Sequence, residues 1–242
     1  MKLIQYAFAS TSYYKKDSVL LGLFFAGFMF ALTFVFDLIS TFQMLFQQVN
    51  QNIWAYPELS YYSFIRKQFI SIDNYYRSLL LIVLPIFLIL AFLLVKLILD
   101  KRVNEFTNWR LLGFSNQKIW GLAFAEIIVP CLMAAIAVLS IVIVFQGNYQ
   151  ESLQAVHSNR LGLKLEGFTH EYSLDIFLGN NHTIFILPKR MQHLFELNIN
   201  DDLFLLSTID NLIKSCGLAI VTLILPTTIW QLVTFKKITK VA

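Results

Sequence analysis

Four histidines, two cysteines and a few carboxylates set in apolar sequence are the side chains with chemistry to offer. His157, His170, His182 and His193 follow one another at intervals of 13, 12 and 11. Those intervals match no compact metal motif, and no cysteine lies near. They read as solvated or turn histidines. Cys131 and Cys216 fall in apolar runs, where small packing residues are expected and the redox compartment is not legible. The chain has no Gly-rich phosphate loop, nucleophile elbow or HExxH run. We expect a non-catalytic subunit with no metal and no cofactor of its own.

Ionisable groups inside apolar segments usually mark function, because burying a charge away from water is costly. Asp37 and Lys96 lie at the ends of such segments and are expected to snorkel. Glu126 lies about two turns into another. It is either a proton-relay carboxylate or a group bonded at the mouth of a helix bundle, to Lys96 or Lys118; the second reading is preferred, since it stands without a buried partner.

The elements that must carry these groups are set by composition. With 57% hydrophobic and 14% charged residues and a mean hydropathy of +0.63, the chain is too apolar for a soluble domain. Four runs, roughly Ser18–Ile39, Leu79–Leu99, Ile119–Phe145 and Lys214–Phe235, are long enough to cross a hydrocarbon core of about 30 Å as helices. Gly22, Gly27 and Ala31 suit helix contact in a bilayer, and Pro85, Pro130 and Pro226 are candidates for kinks. Eleven of the 19 Lys and Arg residues flank one side, at Lys2, Lys15, Lys16, Lys96, Lys101, Arg102, Arg110, Lys118, Lys236, Lys237 and Lys240. The expectation is a cell-membrane protein with both termini cytoplasmic. The cations are explained by orientation and lipid headgroups, so nucleic acid is not an expected partner and membrane lipids are.

The fold class expected is all-α and membrane-embedded: a four-helix bundle with extended external stalk helices and a small external α+β insertion. Residues 1–17 read as an amphipathic interfacial helix. Residues 18–145 carry spans one to three, with an external stalk at 40–78 and a cytoplasmic segment at 100–118. In the stalk, Phe46 and Val49 are expected to face Phe64, Ile65 and Phe69 across a turn near Pro57; the alternative is an aromatic-rich loop on the membrane surface. Residues 146–213 form the small external domain, with a hairpin of Leu174–Leu178 and His182–Leu187 about Gly179-Asn180-Asn181 and a short helix over Met191–Leu197. Residues 214–242 hold span four and a basic tail.

The segment 101–119 is a charged island between two apolar runs. Asn104–Leu111 can form a helix, Gly113 permits the left-handed residue that ends it, and Ser115 is a natural N-cap for the next. Phe106 and Trp109 are candidate apolar anchors and Arg110 a charged contact for a docking partner. The spacing of Arg102, Glu105, Arg110, Leu112, Gly113, Ser115, Gln117, Ile119 and Glu126 resembles the coupling segment of FtsX/MacB-type ABC transporter permeases. The resemblance implies that a separate ABC ATPase, binding ATP and Mg, docks on Arg102, Glu105, Phe106, Trp109, Arg110, Leu112, Gly113, Ser115 and Gln117. It implies a second permease protomer, identical or not, and transmission of the ATPase cycle to external helices that act on a peptide, lipid-linked, antimicrobial or envelope substrate. The chain departs from the family pattern in placing its longer outer segment between the third and fourth spans, and in carrying Ala134, Ala135 and Ala137 where glycines are usual. Two other classes fit the composition: an ATP-independent receptor or scaffold binding through 147–211, and a small secondary transporter using Glu126.

The charge bias has a direct check. In a background lacking Cys131 and Cys216, Asn108→Cys and Lys240→Cys are expected to resist an impermeant thiol reagent in intact cells, while Asn159→Cys and Asn180→Cys react. Labelling of position 108 from outside overturns the orientation.

Overall fold

The computed structural model describes residues 9–54, 62–160 and 201–241. Among these, every regular element is a helix. In chain order they are α1 (Lys15–Trp54), α2 (Tyr62–Lys101), α3 (Val103–Leu111), α4 (Asn116–Val144), α5 (146–160) and α6 (Asp201–Val241). Residues 9–13 are also helical, and bonds from Tyr14 N to the Ser10 carbonyl and from Ser18 N to the Tyr14 carbonyl carry them into α1.

Among the described residues four helices are long and apolar enough to cross a membrane, over Lys15–Asn50, Arg66–Lys101, Asn116–Val144 and Asp202–Val233. Three run past the limits that hydropathy sets. At 1.5 Å per residue, 40-residue α1 and α2 are each about 60 Å long, roughly twice a hydrocarbon core. The helices do not stop where apolar sequence gives out, because no Pro or Gly follows at those points and the amphipathic residues beyond continue at helical spacing. Pro85, Pro130 and Pro226 lie inside α2, α4 and α6.

The small α+β insertion is not supported. Residues 146–160 are helical, and 201–213, expected in the same insertion, belong to α6. Gly147 stands in α5 rather than in a turn, since a glycine weakens a helix without ending it. The hairpin about Gly179-Asn180-Asn181, the helix over Met191–Leu197, the turn near Pro57, His170, His182 and His193 lie outside the described residues, as do the side chains of Phe64 and Ile65.

The chain divides into two compact units: one of Met1–Thr33, Leu81–Ile141 and Ile209–Ala242, the other of Phe34–Leu80 and Val142–Thr208. In the first, Phe25, Met29 and Leu32 of α1 are buried with Phe87, Ala91 and Val95 of α2, Ile127, Cys131 and Ala134 of α4, and Ala219 and Leu223 of α6. Phe87 stacks on Phe24 and Phe28 and meets Phe25 edge-on. Gly22 comes close to α4: a Cβ there would lie 3.8 Å from the Pro130 carbonyl oxygen. Thr33 Oγ1 donates to Ser215 Oγ at 3.1 Å.

In the second unit Phe42, Leu45 and Val49 of α1 are buried with Phe69, Ile72 and Tyr76 of α2, Tyr149 and Leu153 of α5, and Phe204 of α6. Phe69 lies 5.0 Å from the Phe42 ring and 5.1 Å from that of Phe46. Two expectations are corrected here. Asp37 does not snorkel; it is fully buried and accepts a hydrogen bond from Tyr149 Oη at 2.8 Å. His157 is buried on α5, not solvated. Both errors have one cause: the hydroxyl partners come from distant sequence.

Candidate functional site

The segment between α2 and α4 is built as a rigid corner. α2 ends where Arg102 leaves helical geometry, at φ −104° and ψ 6°. Its carbonyl nevertheless accepts from Glu105 N and Phe106 N, so α3 begins at once. At the far end Gly113 N bonds the Arg110 carbonyl and Phe114 N the Trp109 carbonyl. That nested pair is a Schellman closure, which needs a left-handed residue. Gly113 supplies it at φ 87°. Ser115 then caps α4 through Lys118 N, at 3.4 Å to its hydroxyl.

A buried ionic knot holds the corner from inside. Arg102 Nη1 donates to Glu126 Oε2, with both side chains almost fully buried. Ser10 Oγ donates to Glu126 Oε1 at 2.6 Å, and Arg102 also reaches the Ser10 hydroxyl. The guanidinium lies 3.9 Å from the centre of the Tyr14 ring, and Tyr14 Oη donates to Glu105. Partial burial, and then the charge of Glu126, raise the Glu105 carboxyl above its usual range. Glu126 thus bonds Arg102 and Ser10 in place of Lys96 or Lys118, which are exposed. It is not a lone acid.

The other helices close on the same point. Trp230 of α6 donates from Nε1 to Asp100 Oδ1 at 2.8 Å and packs edge-on against Phe106, ring centres 5.3 Å apart. Gln231 Nε2 donates to the Asn116 carbonyl at 3.1 Å. Lys101 Nζ pairs with Asp17 at the start of α1, at 2.9 Å. Ends of α2, α3 and α4 are therefore each tied to a neighbour.

This arrangement turns Phe106 inward. It is 1% exposed, so it anchors the corner to the bundle and presents no surface to a partner. Trp109 lies edge-on to it and is half-buried, as is Arg110. Successive residues turn about 100° around a helix, so with Phe106 inward, Leu111 and Leu112 face out. They are 82% and 74% exposed, and Phe114 is 43% exposed. Gln117 and Ser115 are exposed beside them. The available apolar tip is thus Leu111-Leu112-Gly113-Phe114; Leu111 and Phe114 were missed because a nine-residue helix gives no period from which to tell its inner face. Ser10, Tyr14 and Trp230 carry no local signal, being far away in sequence. Among the described residues no three His, Cys, Asp or Glu side chains gather as metal ligands would.

No family model, curated protein or solved structure matches the chain.

Removing one partner of a buried ion pair strands the other charge, at about 3–5 kcal/mol, whereas replacing both by apolar groups is often neutral. Glu126→Leu is therefore expected to lower the thermal midpoint of the detergent-solubilised protein by many degrees. Adding Arg102→Met restores most of the loss. A double variant destabilised by the sum of the Glu126→Leu and Arg102→Met losses would show that the two side chains are not coupled.

Proposed function

We propose that this chain is the membrane subunit of an ATP-driven bacterial complex of the FtsX/MacB type, with the α2–α3–α4 corner as the seat of a separate ABC ATPase. The observation that carries the reading is the braced corner itself: a short helix locked from within by Arg102–Glu126, closed by Gly113 and tipped with exposed Leu111, Leu112 and Phe114. An exposed apolar tip on a membrane protein is either covered by lipid or by a partner, and this one lies next to Lys118, Gln117 and Arg110. Burying a large apolar side chain is worth about 1.5–3 kcal/mol, so three of them would seat a partner in a groove. Rigidity matters as much as affinity, since a corner that flexed would absorb any displacement.

On this reading the lysine- and arginine-rich side, with both termini, is cytoplasmic. ATP and Mg belong to the partner chain. Two copies of the permease, identical or paired with a homologue, would face two ATPases. The packed ends of α1 and α2, where Phe42 and Phe46 meet Phe69, would carry the movement outward to a peptide, lipid-linked, antimicrobial or envelope substrate.

The neighbouring reading frames should include an ABC ATPase. Co-expressed with it, Leu112→Ser combined with Phe114→Ser is expected to give a folded, inserted permease that recovers at least tenfold less ATPase and no longer stimulates ATP hydrolysis. Phe106→Ala, by contrast, is expected to destabilise the permease itself. Undiminished recovery with the double variant removes the docking assignment.

A further inference from the structure

The second unit contains a buried histidine that the corner does not use. His157 of α5 is 2% exposed. Its Nδ1 lies 3.0 Å from Tyr76 Oη of α2 and its Nε2 lies 2.8 Å from Thr41 Oγ1 of α1. Thr41 in turn donates its hydroxyl to the Asp37 carbonyl at 2.5 Å. That bond settles the protons. With its only hydrogen committed, Thr41 Oγ1 accepts from the ring, so Nε2 carries the hydrogen and Nδ1 accepts from Tyr76. The imidazole is the neutral Nε2–H tautomer, with both nitrogens satisfied. The rings of Phe42 and Tyr76, each 5.5 Å away, wall it in.

A second proton has no place in this arrangement. On Nδ1 it would meet the Tyr76 hydroxyl hydrogen, and Tyr76 would have to turn that hydrogen away from its acceptor, with a cation newly buried. The charged and titratable groups around the ring are already engaged. On α1, Asp37 accepts from Tyr149 Oη of α5, whose phenol is raised by burial and then by the Asp37 charge and bond. On α2, Asp73 pairs with Arg77, and Tyr75 accepts from Arg160 of α5 at 2.7 Å, under its guanidinium. Asp202 of α6 and Glu151 of α5 are exposed.

We propose that His157 is an acid-released latch: neutral, it ties α5 to α1 and α2 at one point, and protonated it lets α5 go. The inference is independent of any ATPase. Burial lowers the imidazole from 6.5 to about 4. A released ring takes its proton near its ordinary value and a latched ring only near the lowered one. The latched state is therefore fully favoured above about pH 6.5, weakens about tenfold per pH unit below that, and weakens no further once the latched ring also protonates.

The test is amide hydrogen exchange of 149–157 in the full-length chain, held in neutral phosphatidylcholine nanodiscs and corrected for intrinsic exchange. Between pH 6.5 and 4.5, protection is expected to fall about 40-fold in the wild type and to stay level in His157→Gln. Tyr76→Phe keeps the ring and removes the donor to Nδ1, which brings the latched ring's proton affinity towards that of the released ring, so the fall should still begin near pH 6.5 but level off sooner and be smaller. Asp37→Asn should keep the fall. Constant wild-type protection overturns the latch, as does an undiminished fall in His157→Gln or its loss in Asp37→Asn. Should His157→Gln fail to insert, a fall in Tyr76→Phe as deep as that of the wild type overturns it equally.

Discussion

A charge placed among apolar helices must find its counter-charge, and in this chain that requirement shapes the corner. Arg102 and Glu126 are 4% and 6% exposed, far from water that could solvate either alone. Their pairing joins the end of α2 to the third turn of α4, so the path between them has to leave one helix and re-enter another within a fixed span. α3 is what fits. Its N-cap position is occupied by Arg102, which makes no side-chain cap, since a guanidinium has only donors and cannot accept from the free N–H groups of a helix start. The local rule is given up so that the buried charge can be met.

How much of this was legible follows from the range over which each signal acts. Helix-spanning runs, the left-handed Gly113 and the Ser115 cap rest on residues adjacent in sequence, and propensity, dihedral limits and capping act locally. The four apolar helices could be counted, but not their ends, because hydropathy marks where lipid is preferred and says nothing of where hydrogen-bonded backbone continues. Everything that depends on partners far away was out of reach. Sequence position alone points Glu126 towards Lys96 or Lys118, whereas the fold brings Arg102 to it. Sequence alone gives His157 and Asp37 no partner but water, because a lone polar residue carries no sign that Tyr76, Thr41 or Tyr149 will meet it. Phe106 and Trp109 were read as outward anchors because aromatic residues on so short a helix give no direction.

The functional reading rests on a contrast in how residues of the corner are satisfied. Phe106, Arg102 and Glu126 are consumed by the fold, as are Ser10, Tyr14 and Trp230, which brace them. Leu111, Leu112 and Phe114 have no such role. Whatever covers them is chosen by shape and by the charge beside them, on a support that does not yield. On the proposed reading, a docking element separated in this way from its scaffold could vary with its partner without endangering the bundle.

Each unit also places its own polar contacts on α1. In lipid, apolar side chains gain little by leaving acyl chains for one another, so helix register depends heavily on close packing and on hydrogen bonds between polar residues. Thr33, Asp37 and Thr41 recur every four residues, along one face of α1, and each is buried. In the first unit Thr33 reaches Ser215 of α6; in the second Asp37 accepts from Tyr149 and Thr41 bonds His157, both of α5. Displacing α1 by one residue would turn this face by about 100° and break all three contacts together, leaving a carboxylate without its donor. An apolar surface alone would tolerate such a slip. Within each unit, polar contacts of this kind therefore give α1 a register that apolar packing alone would set less sharply.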